Sequence, residues 1–222
     1  MNNSYKYWDL YQVFNYNLKE ACEISWFEAD IIYNKIGNTP GVYPDTALLL
    51  VNLIKKLSMK KVLEIGSGFS SLFLKKACVD TGAIFISYEE DEKYRKMTQS
   101  LLEAHKLDSS CVLPFECTDK IDFSNTDMVF VDGTKDNRHR LLESSLLFSI
   151  PIVIVDDFES PDFISACYTF LMNSKRSSFY VYNGVGRIDR HQFISYLTTS
   201  YLYTDFFLLK FVTDEMPRLG VW

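Results

Sequence analysis

Short apolar runs alternate with stretches of helical spacing along most of the chain, and nearly every apolar run ends in a glycine or an acid. Val62, Leu63 and Ile65 predict a buried strand, bounded by Lys60 and Lys61 before it and Gly66 after it. Ser70 to Cys78 predicts a helix with Leu72, Phe73, Leu74 and Ala77 on its buried face. A second strand is expected over Ala83–Tyr88, ending in Glu89, Glu90 and Asp91, with a helix from about Glu92 to His105 after it. Cys111 to Phe115 predicts a third strand. Met128 to Val131 predicts a fourth, with Asp132 at its tip. A helix over Leu141–Leu147 leads to a fifth strand, which runs from Ile150 through Val155 into Asp156 and Asp157. Further on, 158–173 contains a helix, and 178–182 and 206–212 are strand candidates. Ahead of the first strand, Asp45 or Thr46 is expected to cap a helix through Ala47–Ile54. Residues 5–37 set Trp8, Phe14, Cys22, Ile24, Phe27, Ile31 and Ile32 at helical spacing.

Strand, helix and strand at these intervals imply parallel neighbours joined by right-handed crossovers, hence a doubly wound α/β sheet whose strand tips share one crevice. A chain of 222 residues is long enough for one large domain with a sizeable core. The expected division is an N-terminal helical segment over 1–40, packed on the core or serving as a lid, and a Rossmann-like domain over 41–222. The aromatic density of the first segment also suits a homodimer surface.

Charge and cysteine content narrow the partners. The net charge is −6 and no long Lys/Arg run occurs, which argues against a broad nucleic-acid footprint. The five cysteines are scattered and odd in number, as for reduced thiols in a cytoplasmic protein. The first residues lack an apolar leader core, and no apolar run approaches the roughly 20 residues that span a membrane.

The chemistry concentrates at the strand tips. Gly66 and Gly68 allow a sharp turn and a close ligand approach, and the helix after them presents free N–H groups to a nucleotide or nucleoside. Ser71 stands where a dinucleotide fingerprint has its third glycine, so that fingerprint is incomplete. Glu64 would repel a pyrophosphate and suits a cofactor with a cationic amino-acid tail. Glu89 is placed to accept ribose hydroxyls, against the alternative of a solvated acidic loop. Asp132, Asp156 and Asp157 should meet in the crevice. Like charges that close recruit a cation, and Mg²⁺ suits oxygen ligands; a strand-end turn with helix capping is the plainer alternative. Lys135 is either a base for a substrate hydroxyl or a solvated loop lysine. The three histidines, His105, His139 and His191, form no helical pair for zinc.

The stretch Lys61-Val62-Leu63-Glu64-Ile65-Gly66-Ser67-Gly68-Phe69-Ser70-Ser71 resembles motif I of the class I, Rossmann-like S-adenosylmethionine-dependent methyltransferases. Asp127-Met128-Val129-Phe130-Val131-Asp132, then Lys135-Asp136 and Asp156-Asp157, is similar to the metal-dependent small-molecule O-methyltransferases of the catechol and sugar-modifying types. The resemblance covers about residues 40–165. It implies a mostly parallel seven-stranded sheet flanked by helices. It implies S-adenosylmethionine held by Glu64, Gly66, Ser67, Gly68, Ser71, Glu89 and Asp132, a Mg²⁺ ion on Asp132, Asp156 and Asp157, and catalytic roles for Lys135 and Asp132. A broader methyltransferase group, in which an Asp-Gly is followed by an arginine and no metal role is known, is also similar. Here Asp132-Gly133 with Arg138 or Arg140 fits that second pattern. The expected function is methyl transfer to a small molecule, to a hydroxyl oxygen by preference. The alternatives are an NAD(P)-dependent oxidoreductase using the same crevice, and a non-catalytic protein that retains the fold.

Overall fold

The computed structural model describes residues 21–36, Val42, residues 44–156, and Ala166, Phe170 and Asn173, apart from the side chains of Pro44, Asp45, Asp119 and Lys135. In chain order the elements are α1 (Trp26–Ile36), α2 (Pro44–Lys56), β1 (Lys61–Ile65), α3 (Phe69–Thr81), β2 (Ile84–Glu89), α4 (Glu92–Ala104), β3 (Val112–Pro114), β4 (Met128–Val131), α5 (Lys135–Glu143) and β5 (Ile152–Val155). Short 3₁₀ turns occupy Thr118–Lys120 and Ser145–Leu147.

Five strands form one sheet in the order β3-β2-β1-β4-β5, and every pairing is parallel. Val62, Leu63, Met128, Val129, Phe130, Val131, Val153 and Val155 are fully enclosed. A parallel sheet covered on both faces requires such uninterrupted apolar runs. Each of these aliphatic side chains contributes about 1.5–3 kcal/mol through burial. The chain moves outward from β1 to β2 and β3, then returns past β1 to lay down β4 and β5. With right-handed crossovers, that reversal puts α3 and α4 on one face and α5 on the other. It also places the topological switch point between β1 and β4, from which the connections leave to opposite faces. The doubly wound α/β architecture expected from the sequence is thus present as a five-stranded parallel sheet. The strand candidates at 178–182 and 206–212, and residues 1–20 of the N-terminal segment, lie outside the described residues.

Several local expectations are corrected. The helix before β1 starts at Pro44, so Asp45 and Thr46 lie inside its first turn rather than ahead of it. Proline suits the first helical turn because its missing N–H has no partner to lose there. The helix after β4 begins at Lys135 and ends at Glu143, so it starts ahead of the expected Leu141–Leu147, whose last three residues form the 3₁₀ turn. Its first turns carry few apolar residues, which hid them from a hydrophobic pattern. In α1 the buried residues are Ala29 and Tyr33, whereas Phe27 is 67% exposed and Ile31 40%. The stripe that aligned Phe27 with Ile31 therefore faces outward, and Ala29 and Tyr33, also four apart, face the core.

Candidate active site

The strand registers carry the site. Ile65 of β1 is level with Tyr88 of β2 and with Val131 of β4, and Val131 is level with Val155 of β5. The next residue on each strand, Glu89, Gly66, Asp132 and Asp156, therefore forms one row across the C-terminal edge. The ladder continues into that row. Gly66 N–H donates to the Tyr88 carbonyl at 2.8 Å, Asp132 N–H to the Ile65 carbonyl at 2.7 Å, and Asp156 N–H to the Val131 carbonyl at 2.9 Å.

Gly66 has φ +92°. A Cβ there would lie 2.5 Å from both the Asp132 carbonyl carbon and the Gly133 Cα. Only a residue without a side chain lets the two loops approach this closely. Ser67 then turns toward β2. Its N–H donates to Glu89 Oε2 at 2.6 Å and its hydroxyl pairs with Thr98 of α4 at 3.0 Å. The other Glu89 oxygen accepts from Asp91 N–H at 2.9 Å, and burial pushes this carboxyl up from its ordinary value. Gly68 N–H donates to Ser71 Oγ at 3.0 Å, which closes the turn onto the start of α3.

Glu64 sits beneath the turn with none of its surface exposed. Ser70 Oγ donates to its Oε1 at 2.5 Å and Ser87 Oγ to its Oε2 at 2.6 Å, while Ser71 Oγ donates to Oε2 as well. Desolvation drives the carboxyl up to about 7, against the pull of the three hydroxyls. Glu64 and Ser87 are register partners on adjacent strands. That pairing brings together two polar residues that the sequence shows only as isolated interruptions of apolar runs.

On the other side of the row, Asp132 is partly open, and Arg138 Nη1 stands 3.9 Å from its Oδ1. The same nitrogen donates to the Asp156 carbonyl at 2.9 Å, and Arg138 is only 7% exposed. Asn137 Nδ2 donates to Glu90 Oε2 at 2.6 Å. Since β2 and β4 flank β1, this bond spans the width of the β1 tip. The structure thus brings together Glu64, Gly66, Ser67, Gly68, Ser71 and Glu89 on one side, and Asp132, Asp156 and Arg138 on the other. Lys135 is the first residue of α5. Asp157 lies outside the described residues. Among the described residues no three His, Cys, Asp or Glu side chains are grouped closely enough to hold a metal ion.

The N-terminal segment reaches this edge through α1. The Phe69 ring, at the start of α3, meets Trp26 edge-on at 5.8 Å, Tyr33 at 5.3 Å and Phe73 at 5.2 Å. A Cβ placed on Gly68 would stand 3.5 Å from the Tyr33 hydroxyl. Tyr33, Ser87 and Asn137 were not anticipated as members of this neighbourhood, because each depends on pairing between distant elements; Ser70, six residues from its partner Glu64, was not anticipated either.

Similar architecture occurs in solved structures. The cofactor-bound Rv0187 protein from MTB aligns with 66% of this chain and 75% of its own at 18% identity and a TM-score of 0.53. An O-methyltransferase from Bacillus cereus, in complex with SAH, aligns over 67% and 77% at 20% identity and a TM-score of 0.52. A Klebsiella pneumoniae protein provisionally assigned as an O-methyltransferase aligns over 72% and 83% at 18% identity and a TM-score of 0.53. No protein-family model and no curated relative matches the sequence. The described core has the fold of the class I methyltransferases. No helix among the described residues is long and apolar enough to cross a membrane.

Proposed function

We propose that this protein binds S-adenosylmethionine at the β1–β4 switch point and transfers its methyl group to a hydroxyl oxygen of a small molecule. The observation that carries this reading is the row at the strand tips: a glycine turn packed on the Asp132–Gly133 loop, with Glu89 buried at the neighbouring tip. The likeness to SAH-bound and cofactor-bound structures supports it. Bound S-adenosylmethionine supplies a methyl group on a positively charged sulfur, ready for in-line displacement. The protein's task is chiefly alignment. The backbone of Gly66, Ser67 and Gly68 would line the amino-acid end, and Glu89 would accept from ribose hydroxyls. Asp132, partly open at the next tip, would orient the acceptor hydroxyl. That hydroxyl loses its proton as the carbon–oxygen bond forms, and Lys135 at the start of α5 is the candidate to receive it.

Mg²⁺ assistance finds less support. Arg138 lies against the tip acids, and its guanidinium faces Asp132 while gripping the Asp156 carbonyl. A guanidinium in that position competes with a divalent ion for the same charge. The metal-free reading is therefore preferred.

Calorimetry with S-adenosylhomocysteine and with NAD tests the cofactor. Binding of the first alone is expected, and binding of NAD alone would overturn the reading in favour of an oxidoreductase. Failure of the folded protein to bind either would favour a non-catalytic role. Glu89→Ala should weaken S-adenosylhomocysteine about tenfold to a hundredfold, the worth of roughly 1.5–3 kcal/mol for a hydrogen bond to a charged group.

A further inference from the structure

Glu64 is the acid that the sequence singled out for a cofactor's amino-acid tail, yet no ligand can reach it in this structure, because its surface is wholly covered. What does reach it is three hydroxyls from two elements: Ser70 and Ser71 in the first turn of α3, and Ser87 in the middle of β2. Ser71 Oγ gives its hydrogen to Glu64 and takes the Gly68 N–H on its lone pair. An unbroken chain of donors thus runs from the glycine turn down to the carboxylate.

We infer that ionised Glu64 is an internal brace, which fixes the glycine turn through Ser71 and makes Ser71 and Ser87 positioning residues for the cofactor. The inference rests on the proposed cofactor site and adds a regulation of it by pH. A carboxylate can accept all three hydroxyls at once. A carboxylic acid must itself donate one hydrogen, so at least one serine has to turn around. If that serine is Ser71, its oxygen accepts from both the Glu64 hydroxyl and the Gly68 N–H while its own hydrogen points elsewhere, which changes the geometry of the Gly68 contact. Burial sets the point at which this happens: the carboxyl titrates near 7 rather than at its ordinary 4.5. Around it, Glu89 on β2 adds a like charge that raises the value, and the Cys111 thiol before β3 senses the same field. The three serines that touch it do not titrate in this range.

The sign for stability is opposite to the sign for binding. A folded-state value above the unfolded one means that this group's stabilising contribution is full below about 4.5 and is lost as pH rises through about 7. The brace is therefore made at a cost to the fold. A residue with a purely structural role would not show that opposition.

The test combines amide NMR with calorimetry between about pH 5 and about pH 9. In the wild type the Gly68 amide signal should titrate with a midpoint near 7, and S-adenosylhomocysteine should bind about tenfold more tightly above that midpoint than below it. Glu64→Gln should remove the Gly68 titration and bind weakly at every pH, yet unfold at a higher temperature than wild type at the alkaline end. Ser87→Ala, which deletes one of the hydroxyls that favour the charged form, should move the midpoint upward. A Gly68 signal that does not titrate, or a Glu64→Gln variant with wild-type affinity and pH profile, overturns the brace. If Gly68 titrates as expected and S-adenosylhomocysteine does not bind at all, the brace stands and the cofactor reading fails.

Discussion

Gly66→Ala should destabilise the protein by about 3 kcal/mol or more and abolish measurable cofactor binding. Two costs combine. The position has φ +92°, which L side chains rarely adopt, and the added carbon would lie 2.5 Å from backbone atoms of Asp132 and Gly133. Flexible side-chain ends can swing away from such a contact; backbone cannot. Here both partners are pinned, because Gly66 N–H is bonded to Tyr88 and Asp132 N–H to Ile65. Relief requires β1 and β4 to separate at their tips, where the cofactor is proposed to lie. Gly68→Ala is the matched control. Gly68 is extended, with φ 177°, and its added carbon would make an ordinary contact with Tyr33 at 3.5 Å. Urea denaturation should find Gly68→Ala close to wild type in stability and Gly66→Ala far below it. Similar midpoints for the two would mean that the β1 and β4 loops are not rigidly apposed.

The core strands were legible because a parallel sheet buried on both faces leaves a strong signature in sequence: runs such as Met128–Val131 and Ile152–Val155, each ending in an acid. The glycine turn was legible for the same reason, since Gly66 and Gly68 follow directly on a buried run. What the sequence concealed is anything decided by register. Ser87 reads as an unremarkable polar residue in an apolar strand until β1 and β2 align, whereupon it faces Glu64. Glu64 itself was read as a ligand-facing acid, and the structure shows a carboxylate enclosed by hydroxyls. The start of α5 was missed because Lys135–Arg140 is almost wholly polar. Yet that polar turn brings Asn137 to Glu90 and Arg138 to Asp132 and Asp156. Helix α1 was anticipated as a helical layer, and Ile32 packs against the core as expected, but Phe27 and Ile31 face outward and the smaller or more polar Ala29 and Tyr33 take the fully buried positions.

Arg138→Ala should weaken S-adenosylhomocysteine about tenfold and destabilise the fold by about 2 kcal/mol, whereas chelation of divalent ions should change neither property of the wild type. The guanidinium is buried at the tips of β4 and β5, where it spans the gap between the Asp132 carboxylate and the Asp156 carbonyl. Its loss removes a hydrogen-bond donor and packed aliphatic stem, and takes a positive charge away from Asp132. The pair at 3.9 Å is long and Asp132 is partly solvated, so most of the stability effect comes from the carbonyl bond and the packing. Arg138→Lys keeps the charge but not the planar fork, and should recover affinity only in part. The metal alternative predicts a different set of results. Mg²⁺ would then raise the melting temperature of the wild type by mass action, give measurable heat on titration, and lose both effects in Asp132→Asn and Asp156→Asn. Its removal with EDTA would mimic those substitutions. Melting curves and calorimetry with and without Mg²⁺, on wild type and Arg138→Ala, separate the two cases without knowledge of the methyl acceptor. A clear Mg²⁺-dependent stabilisation of the wild type would return the tip acids to the role of metal ligands and reduce Arg138 to a structural neighbour.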